Sequence, residues 1–358
     1  MRELAAELSA WHAAGRSFAV ATIVDVTGSA PRPVGATMAV DTDGRVLGSL
    51  SGGCVEGAVY ELCREVLESG QPVRETFGYS ESDPFAAGLT CGGALDVFVH
   101  RVTTADRAVL DAVLHGPEPV ALVRDLSTGR LLALAGDETI GDPFPAEVIA
   151  AAAAMLDTGA TGLRTVGCEP EEITVFVESF TPPPRMIVVG AIDFAAAVAG
   201  IGRFLGYHVT VCDARPVFAT PARFPDADEV VVDWPHRYLA STRMDSRTVV
   251  CVLTHDPKFD IPVLELALRL PIAYVGALGS RRADRDRRAH LRAAGLTDAE
   301  LARLHSPIGL NLGGHTPAET AVAIAAEIVA HRRGGTTRPL SATDDPIHAP
   351  RPVPVPPG

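Results

Sequence analysis

The apolar segments that follow Thr181-Pro182-Pro183-Pro184 restrict the fold of this chain more than any other feature. Met186-Ile187-Val188-Val189-Gly190 has the pattern of a buried strand, and a small-residue helix is predicted from about Phe194 to Leu205. Val209-Thr210-Val211-Cys212-Asp213 follows as a second strand. After it come Val230-Val231-Val232, Thr248 to Leu253, and Ile272-Ala273-Tyr274-Val275. Continuous β-branched runs alternating with helices belong to a parallel sheet covered on both faces, since a strand buried on both sides has no polar face to alternate. Thr316-Pro317-Ala318-Glu319 combines a capping box with proline at the first helical position, which predicts a helix to about His331. The proline run fits neither a helix nor a central strand and marks a boundary.

Before the prolines, strand-like runs (Phe18 to Val26, Ala94 to Val99, Val120 to Arg124, Ile173 to Glu178) mix with helical ones at Ala105 to Leu114 and Ala146 to Leu156. This half reads as a mixed α/β domain whose sheet order the pattern does not fix. With 358 residues and 47% hydrophobic content, the chain can build two domains with real cores. The expected organisation is a first domain at 1–180, a linker at 181–185, a parallel α/β domain at 186–333 and a disordered tail at 334–358, rich in Gly, Thr and Pro. A net charge of −13 argues against a general nucleic-acid or anionic-membrane surface. No apolar run is long enough to span a bilayer. Met1 to Leu8 reads as an amphipathic helix without the layout of a signal peptide, so a cytoplasmic protein is expected.

Six cysteines stand at 54, 63, 91, 168, 212 and 251, with no CxxC pair to suggest a ribbon-type zinc site. Cys63, Cys212 and Cys251 fall in apolar periodic runs and are expected in the core. Cys54 is different. In Gly48-Ser49-Leu50-Ser51-Gly52-Gly53-Cys54-Val55-Glu56 it stands directly behind paired glycines, where the strand end Arg45 to Gly48 gives way to a helical pattern from Val55 to Leu67. A cysteine in or near a helix's first turn has unused backbone N–H groups and the positive dipole end beside it, which favour a thiolate. Inert burial is the competing reading, because free cysteine is among the most buried residue types. Thr90-Cys91-Gly92-Gly93 repeats the cysteine–glycine theme ahead of another strand.

In the second half, strand, turn, helix and then Asp213 at the next strand's end form a mononucleotide-binding layout, so the expected class there is Rossmann-like. The glycine fingerprint is broken. Gly190-Ala191-Ile192-Asp193-Phe194-Ala195 keeps the first glycine, carries Ile192 where the second belongs, and adds a carboxylate at Asp193. That weakens an expectation of NAD(P) without touching the fold class. Arg215, then Thr254-His255-Asp256, then Gly279-Ser280-Arg281-Arg282 follow strand ends, where open α/β sheets bind ligands. Ser280 with Arg281 and Arg282 reads either as a phosphate seat or as a solvated face. Arg285, Arg287 and Arg288 read as a solvated face paired with Asp284 and Asp286. His255 is an acid/base candidate or a strand-end hydrogen bonder.

Gly28-Ser29-Ala30-Pro31-Arg32 through Gly35, then Ser51 to Glu56, then Cys91-Gly92-Gly93 resemble the first domain of the XdhC/CoxI family. Asp213-Ala214-Arg215, Phe218, Arg223-Phe224-Pro225, Thr254-His255-Asp256, Gly276 to Arg282 and Pro307-Ile308-Gly309-Leu310 resemble its second. The resemblance implies an accessory factor for molybdenum hydroxylases of the xanthine or carbon monoxide dehydrogenase type. Such a factor binds molybdenum cofactor and assists its sulfuration and insertion, more as a maturation factor than as a catalyst. It also implies a homodimer, a hydroxylase client and a cysteine desulfurase as partners. On that view Ser29, Arg32, Ser51, Gly52, Gly53, Cys54, Glu56, Cys91, Gly92 and Gly93 form the cofactor site. Cys54 would contact molybdenum, Arg32 would take an anionic group, and Glu56 would pair with Arg32 or cap the helix end. Two alternatives stay open. One is an NAD(P)-dependent oxidoreductase using Gly190, Asp213 and His255. The other is a thiol enzyme in which Cys54 is nucleophile or persulfide carrier, with a distant base such as His100.

Overall fold

In a computed structural model, residues 1–28, 30–78, 93–116, 119–167 and 172–343 are described, and the chain separates into two units, Met1–Pro182 and Pro183–Gly358. The first unit uses one order of elements twice. Helix α1 (Ala5–Ala13) leads into strands β1 (Phe18–Thr27), β2 (Thr37–Asp41) and β3 (Val46–Gly48), helix α2 (Glu56–Ser69), then β4 (Val73–Gly78) and β5 (Ala94–Val102). Helix α3 (Arg107–His115) then leads into β6 (Val120–Asp125), β7 (Leu131–Ala135) and β8 (Glu138–Gly141), helix α4 (Ala146–Thr158), β9 (Gly162–Val166) and β10 (Ile173–Phe180). The two antiparallel sheets have matching orders, β3-β2-β1-β5-β4 and β8-β7-β6-β10-β9.

Side-chain alternation builds the layers. Leu95, Val97 and Val99 of β5 face α2, whose Val59, Leu62, Cys63 and Val66 recur at helical spacing. Ala121, Val123, Val175 and Val177 of the second sheet face α4 in the same way. The intervening residues point between the sheets. Phe98 and Phe176 pack there with Val24 and Leu126, and Phe18, Val20, Val120 and Leu122 pack with α1 and α3. Buried polar groups share this inner layer, among them His100 of β5, Arg124 of β6 and Glu178 of β10.

The second unit carries β11 (Arg185–Val189), α5 (Asp193–Phe204), β12 (His208–Cys212), β13 (Glu229–Val231), α6 (Pro235–Ser241), β14 (Val249–Val252), α7 (Pro257–Arg269), β15 (Tyr274–Ala277), α8 (Arg281–Ala293), α9 (Asp298–Ala302), β16 (Leu304–His305) and α10 (Pro317–Arg333). Its six strands are all parallel, in the order β13-β12-β11-β14-β15-β16. Met186 and Val188 of β11 join one core with residues of α5 and α10, while Ile187 and Val189 join another with residues of α7 and α8. This is the doubly covered Rossmann-like sheet expected from the β-branched runs. The expected last helix forms with the Thr316–Glu319 capping box and runs on to Arg333. Of the expected tail, 344–358 lies outside the described residues. Among the described residues no helix is long and apolar enough to cross a membrane.

Strand order reverses between β11 and β14, and Gly190 sits at that point with φ +107°. A Cβ there would stand 2.6 Å from Thr254 Cγ2 and 3.2 Å from the Thr254 backbone nitrogen. Gly190→Ala therefore combines positive-φ strain with overpacking, an expected loss of roughly 2–3 kcal/mol. Urea unfolding followed at Trp234, the second unit's tryptophan, checks this. An unchanged midpoint would contradict it.

Candidate functional site

The antiparallel ladders fix where the first unit's glycine-rich motifs emerge. β1 pairs antiparallel with β2 and β5, β3 with β2, and β4 with β5. Strands β1, β3 and β4 therefore point the same way, and their carboxyl ends lie along one edge of the sheet. The connection 28–36 leaves from β1 and 49–55 from β3, while Gly78 ends β4 and Gly93, buried, precedes β5. The first two motif segments therefore leave from this edge, and Gly93 of the third stands at the start of β5 beside the end of β4. The corresponding connections of the second half, 126–130, 142–145 and 167–172, are shorter and contain neither the Gly-Gly-Cys nor the Cys-Gly-Gly pattern. Ser29, Cys91 and Gly92, and likewise Cys168, lie outside the described residues.

The 49–55 connection is organised around one carboxylate. Glu56 Oε1 accepts from the backbone N–H groups of Leu50 (3.1 Å), Ser51 (2.8 Å) and Gly52 (2.9 Å) and from Ser49 Oγ (2.7 Å). Its Oε2 accepts from the Gly53 N–H at 2.8 Å and from Ser51 Oγ. Ser51 Oγ in turn accepts from the Val55 N–H at 3.0 Å. Burial opposes ionisation of Glu56, yet the hydrogen bonds from Ser51 and Ser49 outweigh it and hold the carboxyl well below the usual carboxylate range. This corrects one expectation. The loop amides beside Cys54 do not stand open to an anionic ligand; they close on Glu56.

Cys54 lies ahead of α2, which begins at Glu56, and its side chain is exposed. Gly52 and Gly53 adopt φ of +79° and +128°, and a Cβ on either would meet nothing within 4 Å. Backbone dihedral, together with open space on the outer side, accounts for both glycines. Arg32 is half-exposed, and its Nη2 stands 3.5 Å from Glu3 Oε2; Glu56 turns to its own loop instead of to Arg32. His100 stacks on Phe98 with ring centroids 5.5 Å apart. Burial, reinforced by the Arg124 charge, pushes its imidazole down to about 3, so it stays neutral and enclosed while the Cys54 thiol is exposed. Burial pushes the Cys63, Cys212 and Cys251 thiols up to about 12, as befits core residues.

At the second unit's strand ends, Asp213 is buried and its carboxylate is already engaged. Oδ2 accepts from the Ala191 N–H and from Arg215 Nη2, each at 2.7 Å, and Oδ1 accepts from Arg215 N and Nε, each at 2.9 Å. A ribose hydroxyl would compete with these donors. The Arg215 and Arg223 guanidinium groups lie 4.8 and 5.7 Å from the Phe218 ring centre, and Arg223 stands 3.5 Å from Asp193 at the start of α5. His255 is exposed. Asp256 caps α7 by accepting from the Lys258 N–H, and Ser280 caps α8 by accepting from the Ala283 N–H. Arg281 and Arg282 are exposed at that helix start. Arg288 pairs with Asp284 at 3.0 Å, as a helix face should. Arg287 departs from the expected solvated face: it faces inward with Leu291 four residues on. It donates to Asp260 (3.1 Å), the Leu278 carbonyl (2.8 Å) and Ser306 Oγ (3.0 Å). Among the described residues no group of three or more His, Cys, Asp or Glu is placed to hold a metal.

Similarity to known proteins covers both units. The profile of the XdhC and CoxI family matches residues 11–78, and that of the XdhC Rossmann domain matches residues 186–328. A Bacillus subtilis protein described as a probable xanthine dehydrogenase subunit is 29% identical over 88% of this chain and 93% of its own length. The molybdenum cofactor insertion chaperone PaoD of Escherichia coli is 29% identical over 92% of this chain and 88% of its own. A crystal structure from Bacillus halodurans, described as a xanthine dehydrogenase, superposes with a TM-score of 0.63 at 26% identity, covering 96% of this chain and 98% of that one.

Proposed function

Since the chain belongs to the XdhC and CoxI family, we propose that it is an accessory protein of molybdenum-enzyme maturation, which holds molybdenum cofactor as cargo for a molybdenum hydroxylase. The observation that carries this reading is the edge of the first sheet, where the connections that follow β1 and β3 leave together and the second of them carries an exposed thiol. The cargo is a pterin dithiolene that brings molybdenum and an anionic phosphate. The residues fit it in two ways. Cys54 offers a soft sulfur donor for the metal, and Gly52 and Gly53 leave open space for a bulky group. Arg32 supplies a half-exposed guanidinium for the phosphate. The amides of Leu50 to Gly53 are not ligands in this reading, because Glu56 holds them. Sulfuration of the cargo, a cysteine desulfurase partner, a homodimer and a cytoplasmic location complete the proposal.

The test is retention of molybdenum cofactor after anaerobic loading, read as the fluorescence of its oxidised pterin. Cys54→Ala is expected to lower retention roughly tenfold or more, since even an indirect partner of a metal ligand is worth about 10–100-fold in affinity. Unchanged retention in the variant would take Cys54 out of the site. Negligible retention by the unaltered chain would sink the carrier reading itself.

A further inference from the structure

We infer that Glu56 is a positioning residue: a resident anion around which the Ser49–Gly53 loop folds, and which thereby fixes Cys54 at the exposed end of that loop. Four successive backbone N–H groups and two hydroxyls converge on its two oxygens. Consecutive amides turned to one point make an anion cradle, and here the anion is supplied from within the chain. Leu50 and Val55 bury the two ends of this loop in the core beneath α2. Gly52, Gly53 and Cys54 are exposed, and both glycines hold positive φ with open space around them. Without the carboxylate, four donors lose their common acceptor at once, and the loop keeps the hydrogen bonds from the Gly52 N–H to Ser49 Oγ and from the Val55 N–H to Ser51 Oγ. Glu56 is the first residue of α2, whose Val59, Leu62, Cys63 and Val66 lock it against the sheet, so the anion sits on a rigid base. Core packing of the helix is thus relayed to the thiol through one side chain. That Cys54 is the group worth fixing rests on the carrier reading above; the cradle does not.

The expected results can be read on the intact chain without any cofactor. In Glu56→Ala, hydrogen exchange at the amides of Leu50 to Gly53 quickens roughly tenfold or more, as for amides released from local structure. Alkylation of Cys54 by iodoacetamide, assigned by mass spectrometry, quickens roughly threefold or more, because the loop that holds the thiol has opened. Excess sodium formate, a free carboxylate, restores both rates toward those of the unaltered chain, a rescue that a merely packed side chain would not show. Glu56→Gln keeps one acceptor oxygen and the side-chain volume, and falls between. Exchange unchanged in Glu56→Ala, or both rates unmoved by formate, would overturn the inference. A chain that retains no cofactor yet shows these rates would instead sink the carrier reading alone.

Discussion

Glu178→Ala is expected to destabilise the first unit by about 3–5 kcal/mol, the cost of stranding a buried charge by removing its partner. Arg124 is 0% exposed between the two sheets, with Nη1 at 2.9 Å from Glu178 Oε2. The ion pair is off-axis, and among the described residues none of the three guanidinium nitrogens has a hydrogen-bond partner. The Phe176 ring lies 5.7 Å from the guanidinium and gives weaker support. Truncating Glu178 leaves this cation dry. Replacing both residues by leucine removes the stranded guanidinium and should recover part of the loss; the buried Met1 ammonium, 3.5 Å from Glu178 Oε1, still loses its carboxylate. The measurement is urea unfolding followed at Trp11, the first unit's tryptophan, with Trp234 replaced by Phe. A single variant costing less than about 1 kcal/mol would show that the pair is solvated after all.

The same layer makes the first unit acid-sensitive through His100. Its imidazole is pushed down to about 3, first by burial and then by the Arg124 charge, whereas an unfolded chain protonates near 6.5. Between those values the unfolded state takes up a proton that the folded state refuses, so stability is full above about pH 6.5 and falls as the pH drops. The slope is about 1.4 kcal/mol per pH unit, giving a loss of about 2 kcal/mol at pH 5 and about 4 kcal/mol at pH 3.5. His100→Phe keeps a ring stacked on Phe98 and has nothing to titrate, so its stability should lack this part of the acid slope. Nδ1 of His100 has no hydrogen-bond partner among the described residues, which makes the apolar exchange cheap at neutral pH. Parallel slopes for the two proteins between about pH 6.5 and 5 would show that His100 is protonated in the folded state.

The second unit is legible in the sequence because its strands are apolar on both faces. Met186 to Val189 and Val249 to Val252 contain no polar residue that could be mistaken for an outer face. Strands β2, β7 and β9 escape the pattern: five residues each, with polar residues inside or beside them, and given their character only by their neighbours in the sheet. The repeated order of elements leaves only a faint trace in residue identity, such as Val97-Phe98-Val99 of β5 beside Val175-Phe176-Val177 of β10, and is plain only in the topology. At the candidate site, an exposed cysteine behind paired glycines follows from the pattern, but the direction of the amides does not. The signal for Glu56 is present, a carboxylate opening a helix three residues after the end of a Ser-Gly-Gly turn. By sequence alone it reads as a cap or as a partner for Arg32. The Arg124–Glu178 pair joins residues far apart in sequence, and no local pattern announces it.

Two halves with one layout, only one of them bearing the long connections, give the first unit an internal blank. A cross-linker or photolabel carried by a bound ligand should mark 28–36 and 49–55 and spare 126–130 and 142–145, which leave the equivalent strands of the other sheet. Labelling that falls on both halves alike measures stickiness of the architecture, and only the difference between them measures recognition. Each molecule thus carries its own background reading, at equal concentration and in the same tube.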